Sequence, residues 1–319
     1  MSYSRQLEIG IQIEPQFGFC YEEIRDLGKL AEEVGFNSLW CSDHLFLDAN
    51  SEDKNCLDPW TVLTGLAVET TTLRLGTLVT CVSFRTPQML ARIAAAVDSM
   101  SGGRVDFGIG AGWKQLEYDA YGIPFPSARE RVNRFEEALE IITRMWTEAR
   151  PSYQGTHYQI DNAFMSPKPV QNPHPPIWVG GAQPRVLGLA SKFAQGLNVS
   201  GFPPIERYTE VLDNLRIACQ KTGRAYDTIN KSHFTGVAIA SDQVRVDALA
   251  NDIARERGVS FDELRSTYKG VIGTPDQVTE YLRPFVDLGV EQFMLVFPYQ
   301  REVESIQLVA EKVLPKLRG

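Results

Sequence analysis

Cysteine and histidine are scarce in this chain of 319 residues, and neither is arranged for metal or redox chemistry. The five cysteines (Cys20, Cys41, Cys56, Cys81 and Cys219) are odd in number and lack CxxC spacing, which argues against both a zinc site and a disulfide framework. They are expected to be reduced. The four histidines (His44, His157, His174 and His233) are dispersed, with no HxH or HExxH pair to put two imidazoles on one face, so no metal is expected. No apolar run approaches the roughly 18 residues of a membrane span. Met1 to Glu8 lacks the apolar core of a signal peptide, and a cytoplasmic location is the expectation. Basic residues are outnumbered by acidic ones, 32 to 40, and no basic stripe interrupts the net charge of -8, which speaks against a nucleic-acid partner.

What is present is an alternation of short β-branched runs with longer amphipathic runs, the pattern of parallel strands covered by helices. Strands are expected at Glu8–Ile13, Ser38–Ser42, Arg74–Thr80, Arg104–Ile109, Pro176–Gly180, Gly196–Ser200, Phe234–Ala240 and Gln292–Phe297. Helices are expected at Glu22–Val34, Pro59–Glu69, Pro87–Met100, Arg129–Thr147, Pro184–Phe193, Ile205–Thr222, Thr274–Leu288 and Glu302–Leu317. Several open on a proline, whose missing N–H costs little in a first helical turn. Eight such units in order predict an α/β fold, a (β/α)8 TIM barrel whose active site lies at the C-terminal strand ends. The expected organisation is a single domain over residues 1–319, with insertions around 114–128, 151–175 and 241–269.

The most informative run is Gly102 to Trp113, where a strand ends on Gly110, Ala111 and Gly112. Glycines there strip away side chains, so that a planar or anionic group can approach the backbone, although the spacing is not that of a dinucleotide fingerprint. A tight turn in a packed core is the alternative. Among residues at the predicted strand ends, Asp43-His44 is the sharpest candidate for chemistry, because imidazole exchanges protons near neutral pH and a neighbouring carboxylate can orient it. Adjacent residues point to opposite faces of a strand, so a direct contact between the two requires a turn. Glu117 is either a second acid/base group or a capping carboxylate. Gly180-Gly181, followed by Gln183-Pro184 and a helix, offers either a phosphate site at a helix N-terminus or a plain turn. Trp113, Phe46 and Phe125 are candidates for an apolar substrate wall. His157 and His174 read as surface residues, and His233, ahead of the seventh strand, falls on the stability face.

Taken together, Ser42-Asp43-His44-Leu45, the run Leu75 to Pro87, the run Ser101 to Trp113 and Pro175 to Gly181 resemble the bacterial luciferase-like superfamily. Within it, the chain is most similar to oxidoreductases that use the deazaflavin coenzyme F420. That resemblance implies a barrel with the cofactor at its mouth, and a non-proline cis peptide at or next to Leu78-Val79 forming a bulge behind the ring. It further implies that Asp43 and His44 lie near the reactive ring and that Thr80 and Cys81 touch it. Gly180 and Gly181 would bind phosphate, and the loop containing Asn198 and Ser200 would close over the cofactor tail; Gly112 and Trp113 join the cofactor contacts. His44 would be the general acid/base for hydride transfer to or from a small organic substrate. Where the sugar-phosphate dehydrogenases of the superfamily carry a glutamate, this chain has Trp113, which speaks against a sugar phosphate. An FMN-dependent monooxygenase of the same superfamily is the alternative reading, and a homodimer is the implied assembly, with Pro59–Glu69 and Pro87–Met100 as its surface.

Overall fold

The computed structural model of the chain describes residues 7–199 and 201–318. The first half alternates β1 (Glu8–Ile13), α1 (Tyr21–Glu33), β2 (Ser38–Cys41), α2 (Pro59–Glu69), β3 (Arg74–Thr77), β4 (Thr80–Cys81), α3 (Pro87–Met100) and β5 (Val105–Gly110). Two helices, α4 (Gln115–Ala120) and α5 (Ala128–Thr147), then precede a hairpin of β6 (Tyr153–Gln154) and β7 (Gln159–Ile160). The alternation resumes with β8 (Ile177–Gly180), α6 (Pro184–Phe193), β9 (Gly196–Val199), α7 (Ile205–Thr222) and β10 (Asn230–Ile239). After α8 (Gln243–Arg257), α9 (Phe261–Thr267) and β11 (Gly270–Gly273) come α10 (Pro275–Asp287), β12 (Gln292–Val296) and α11 (Glu302–Leu308), continued by a π turn and α12 (Leu314–Arg318).

Parallel pairing runs β1-β2-β3-β5-β8-β9-β10-β12 and returns to β1, so the sheet closes into an eight-stranded (β/α)8 barrel. The hydrophobic core fills the layer between this barrel and its helices, as expected when parallel strands are apolar on both faces. Trp40 and Trp178 meet edge to face inside the barrel at 5.5 Å and pack with Met294. Four helices open on proline at the first turn, and the Asp58 carboxylate accepts from the Thr61 amide at 2.9 Å to cap α2. Among the described residues, no helix is long and apolar enough to cross a membrane.

Three departures from the sequence reading have physical causes. The third strand is not continuous to Thr80: it stops at Thr77, and a non-proline cis peptide at Leu78-Val79 separates it from β4, where the resemblance placed that bond. The seventh barrel strand starts at Asn230, so His233 lies within it and not ahead of it. Its ring is fully buried, stacked on Phe285 at 3.9 Å and edge-on to Tyr208, which makes it part of the outer core. The last helix is broken at Val309–Val313 by π geometry.

Candidate active site

The C-terminal end of the barrel gathers Asp43 and His44 after β2, Val79 to Cys81 after β3, Gly110 to Glu117 after β5, and Gly180-Gly181 after β8. Adjacent in sequence, Asp43 and His44 take different partners. One Asp43 oxygen, Oδ2, accepts from the Thr80 hydroxyl at 2.7 Å, the Cys81 amide at 2.9 Å and Arg85 Nη1 at 2.7 Å. Arg85 reaches with its other nitrogen to Asp58, the cap of α2. The second Asp43 oxygen, Oδ1, is buried and has no partner.

His44 turns instead to Glu117, whose two oxygens lie 2.9 and 3.1 Å from Nδ1. Glu117 is 1% exposed, so the ring is held by a carboxylate removed from water. Burial by itself pushes that carboxyl up, but hydrogen bonds from His44 and the Leu45 amide, with the charge of Lys114, hold it below the ordinary carboxylate range. Glu117 is therefore an anion, and an anion on Nδ1 fixes the tautomer with its proton there and leaves Nε2 as the basic nitrogen. The sequence reading gave Glu117 two roles, acid/base or cap, and neither specified the direct contact with His44 that the geometry shows. Glu117 was visible as a candidate following the glycine-rich strand end, but its partner lies 73 residues away and was not.

Lys114 spends its three donors on the Phe46 and Leu47 carbonyls, at 2.6 and 2.8 Å, and on Glu117 at 3.3 Å. It thereby ties the loop after His44 to the start of α4. Trp113, 71% exposed, stands edge-on to the His44 ring at 5.8 Å. Phe46 stacks on Tyr121 at 6.3 Å, whereas Phe125 turns away to pack on Tyr118 at 4.8 Å under the Arg131 guanidinium.

The glycine-rich strand end is occupied by the chain itself. A Cβ at Gly110 would come within 2.7 Å of a Val79 methyl, and one at Gly180 within 2.9 Å of both Val79 methyls. These glycines clear a socket for the bulge after β3. Gly112 has φ +76°, and a side chain there would strike the Tyr118 hydroxyl and sit 2.7 Å from Cys81 Sγ.

Other expected contacts fall as follows. Thr80 is fully buried between the Trp60 indole N–H and Asp43. Cys81 lies 3.1 Å from the Tyr118 hydroxyl, and burial pushes its thiol up to about 11, which makes it an inert neutral group. Gly181 donates its amide to the Asn198 carbonyl at 3.0 Å, and the Asn198 amide group donates to Ser232 at 3.0 Å. The first-turn amides of α6, just beyond Gln183, have no intrahelical acceptor. Ser200 lies outside the described residues. His157 and His174 are half-buried, far along the chain from this mouth on the β6–β7 hairpin and the proline-rich lead into β8.

A closed parallel barrel with a carboxylate-held imidazole, a cis-peptide bulge and a helix N-terminus at one mouth defines a class, the luciferase-like barrels. The chain belongs to the luciferase-like monooxygenase family, whose model matches residues 8–268. It is 31% identical to an F420-dependent glucose-6-phosphate dehydrogenase of Microbacterium testaceum, over 95% of each chain. To a 5,10-methylenetetrahydromethanopterin reductase of Archaeoglobus fulgidus it is 24% identical, over 98% of this chain and 100% of the other. Among solved structures, the monooxygenase RslO1 of Streptomyces bottropensis superposes with a TM-score of 0.80 at 26% identity, covering 97% of this chain and 99% of that one.

Proposed function

We propose that the protein is an F420-dependent oxidoreductase that moves a hydride between the deazaflavin and a small organic substrate, with His44 as the proton-exchanging group. The observation that carries this is the His44–Glu117 pair at the barrel mouth, beside a buried Asp43 oxygen that lacks a partner. A buried carboxylate oxygen left open costs about 1–3 kcal/mol unless a ligand donor fills it, so the mouth fits a bound group bearing N–H or O–H. The cofactor, when bound, carries the hydride.

Leu78 and Val79 would back its ring, with Asp43 Oδ1 accepting from it and Gly112 and Trp113 at its edge. Thr80 and Cys81 act on this reading through Asp43, which they hold in place. Gly180 and Gly181 turn the chain into α6, whose N-terminal amides suit the tail phosphate. Asn198 would line the same end, and Ser200 beside it keeps its proposed place in the closing loop. His44 Nε2 takes the hydroxyl proton when the substrate is oxidised and returns it when a carbonyl is reduced. Glu117 keeps the ring in that tautomer throughout.

Two F420-dependent relatives at full length support the cofactor, and the Streptomyces monooxygenase supports the second reading, a flavin monooxygenase using FMN. Titration of the purified protein with coenzyme F420 and with FMN, followed by tryptophan emission, decides between them. Micromolar affinity for F420 with much weaker FMN binding is expected, and preference for FMN would move the protein to the monooxygenase branch. We also propose a cytoplasmic, single-domain protein that pairs as a homodimer through α2 and α3. Val68, Met89 and Met100 stand exposed on those helices, and α2 carries one charged residue, Glu69.

A further inference from the structure

The two cations nearest His44 and Asp43 are already committed. Lys114 is saturated by two carbonyls and Glu117, and Arg85 is neutralised between Asp43 and Asp58. The charge that stays open has the other sign. Glu14, just past the end of β1, accepts from the Gln12 amide at 3.0 Å and from the Gln16 amide, and among the described residues no ion pair engages it. Gln16 in turn accepts from Ser42 at 2.9 Å, which sets this carboxylate beside the β2 end that carries Asp43 and His44. A phosphate dianion brought to His44 would meet an uncompensated carboxylate, with the charges of Lys114 and Arg85 already spent on carboxylates of the chain.

What faces outward beside His44 is aromatic. Trp113 exposes most of its indole while standing edge-on to the catalytic ring, and Phe46 and Tyr121 stack on the adjoining rim. An exposed apolar surface next to a proton-exchanging group costs water-ordering free energy that a ligand's apolar body recovers.

We infer that the substrate is an uncharged alcohol, or the matching ketone or aldehyde, with an apolar or aromatic body that rests on Trp113, and not a phosphorylated sugar. The inference rests on the hydride-transfer reading above. In the oxidising direction the carbinol C–H bond breaks and its electron pair leaves with the hydrogen as hydride to the deazaflavin. The hydroxyl proton passes to His44 Nε2, and the C–O bond becomes a carbonyl; the substrate loses two electrons and the cofactor gains them.

Saturation-transfer NMR of the cofactor-free protein with 1-phenylethanol, and separately with glucose 6-phosphate, reads binding without turnover. Binding of the alcohol, no competition from glucose 6-phosphate, and at least a fivefold weaker Kd in Trp113→Ala are expected; Trp113 is exposed, so this variant folds, checked by its thermal melt. The F420-loaded protein is then mixed with each compound and cofactor reduction is followed. Reduction by the alcohol alone supports the inference. Binding or oxidation of glucose 6-phosphate, or an unchanged alcohol Kd in Trp113→Ala, overturns it, as does a Trp113→Ala variant altered only in its oligomeric state. Failure of F420 itself to bind sinks the hydride-transfer reading separately, because the NMR arm is independent of the cofactor.

Discussion

His44 and Asp43 show what a linear sequence reveals of a site and what it hides. Their place after β2, on the face where barrels keep their chemistry, was legible from strand periodicity alone. Their partners were not, because Glu117 and Arg85 stand 73 and 42 residues further along, and only closure of the barrel brings them near. The pairing that adjacency suggests, Asp43 on His44, is replaced by two separate pairs. Replacing His44 with alanine is expected to lower kcat by about 10²–10⁴ while cofactor Kd stays within a few-fold, measured by single turnover and titration. Glu117→Gln keeps the shape and removes the anion. A fall in kcat of about 10–100-fold with unchanged cofactor affinity is the expected result, and unchanged kcat would dismiss the orienting role. Because the Glu117 carboxyl sits below its ordinary value of about 4.3, its contribution to stability is complete above that pH and is lost as pH falls through the lower folded-state value.

At the level of elements, α2, α3, α6 and α7 match the sequence boundaries, since proline openings and apolar periodicity mark them locally. The break after β3 escaped periodicity because Leu78 and Val79 continue a β-branched run. His233 was misplaced for a related reason: Asn230, Lys231 and Ser232 are polar, yet they form the first part of a strand that pairs with β9 and β12. Both imidazole nitrogens of His233 lack partners, and burial pushes its pKa down to about 3. A base whose folded-state pKa is depressed gives stability that is fully present above its unfolded value, about 6.5, and lost as pH falls from there toward 3. His233→Phe, which keeps a ring against Phe285, is expected to raise the melting temperature, and by more at pH 5 than at pH 7. Arg104, within the glycine-rich run, has the opposite character. Its guanidinium donates to the carbonyls of Ala67, Thr70, Leu73 and Ser101 and to the Thr70 hydroxyl, clamping the C-terminus of α2 to the base of the barrel. Arg104→Met strands those acceptors, and a loss of about 3 kcal/mol in denaturant unfolding is expected.

For the whole molecule, the barrel was legible because eight strand-helix units repeat in order, while the side proposed for pairing carries only a faint signal. Val68→Lys combined with Met89→Lys is expected to convert the proposed homodimer to a monomer in light scattering without loss of helicity; a dimer of unchanged mass would move the interface elsewhere. Val79 carries a consequence for how such a barrel changes over time. Its methyls fill a hollow walled by residues of two further staves, Gly110 on β5 and Gly180 on β8. A mutation that puts a side chain on either glycine is survivable only in a lineage that has first shortened residue 79, so these three positions form a ratchet in which the order of substitutions matters. The exposed Trp113 stands outside that ratchet, since no packed neighbour has to change before it does.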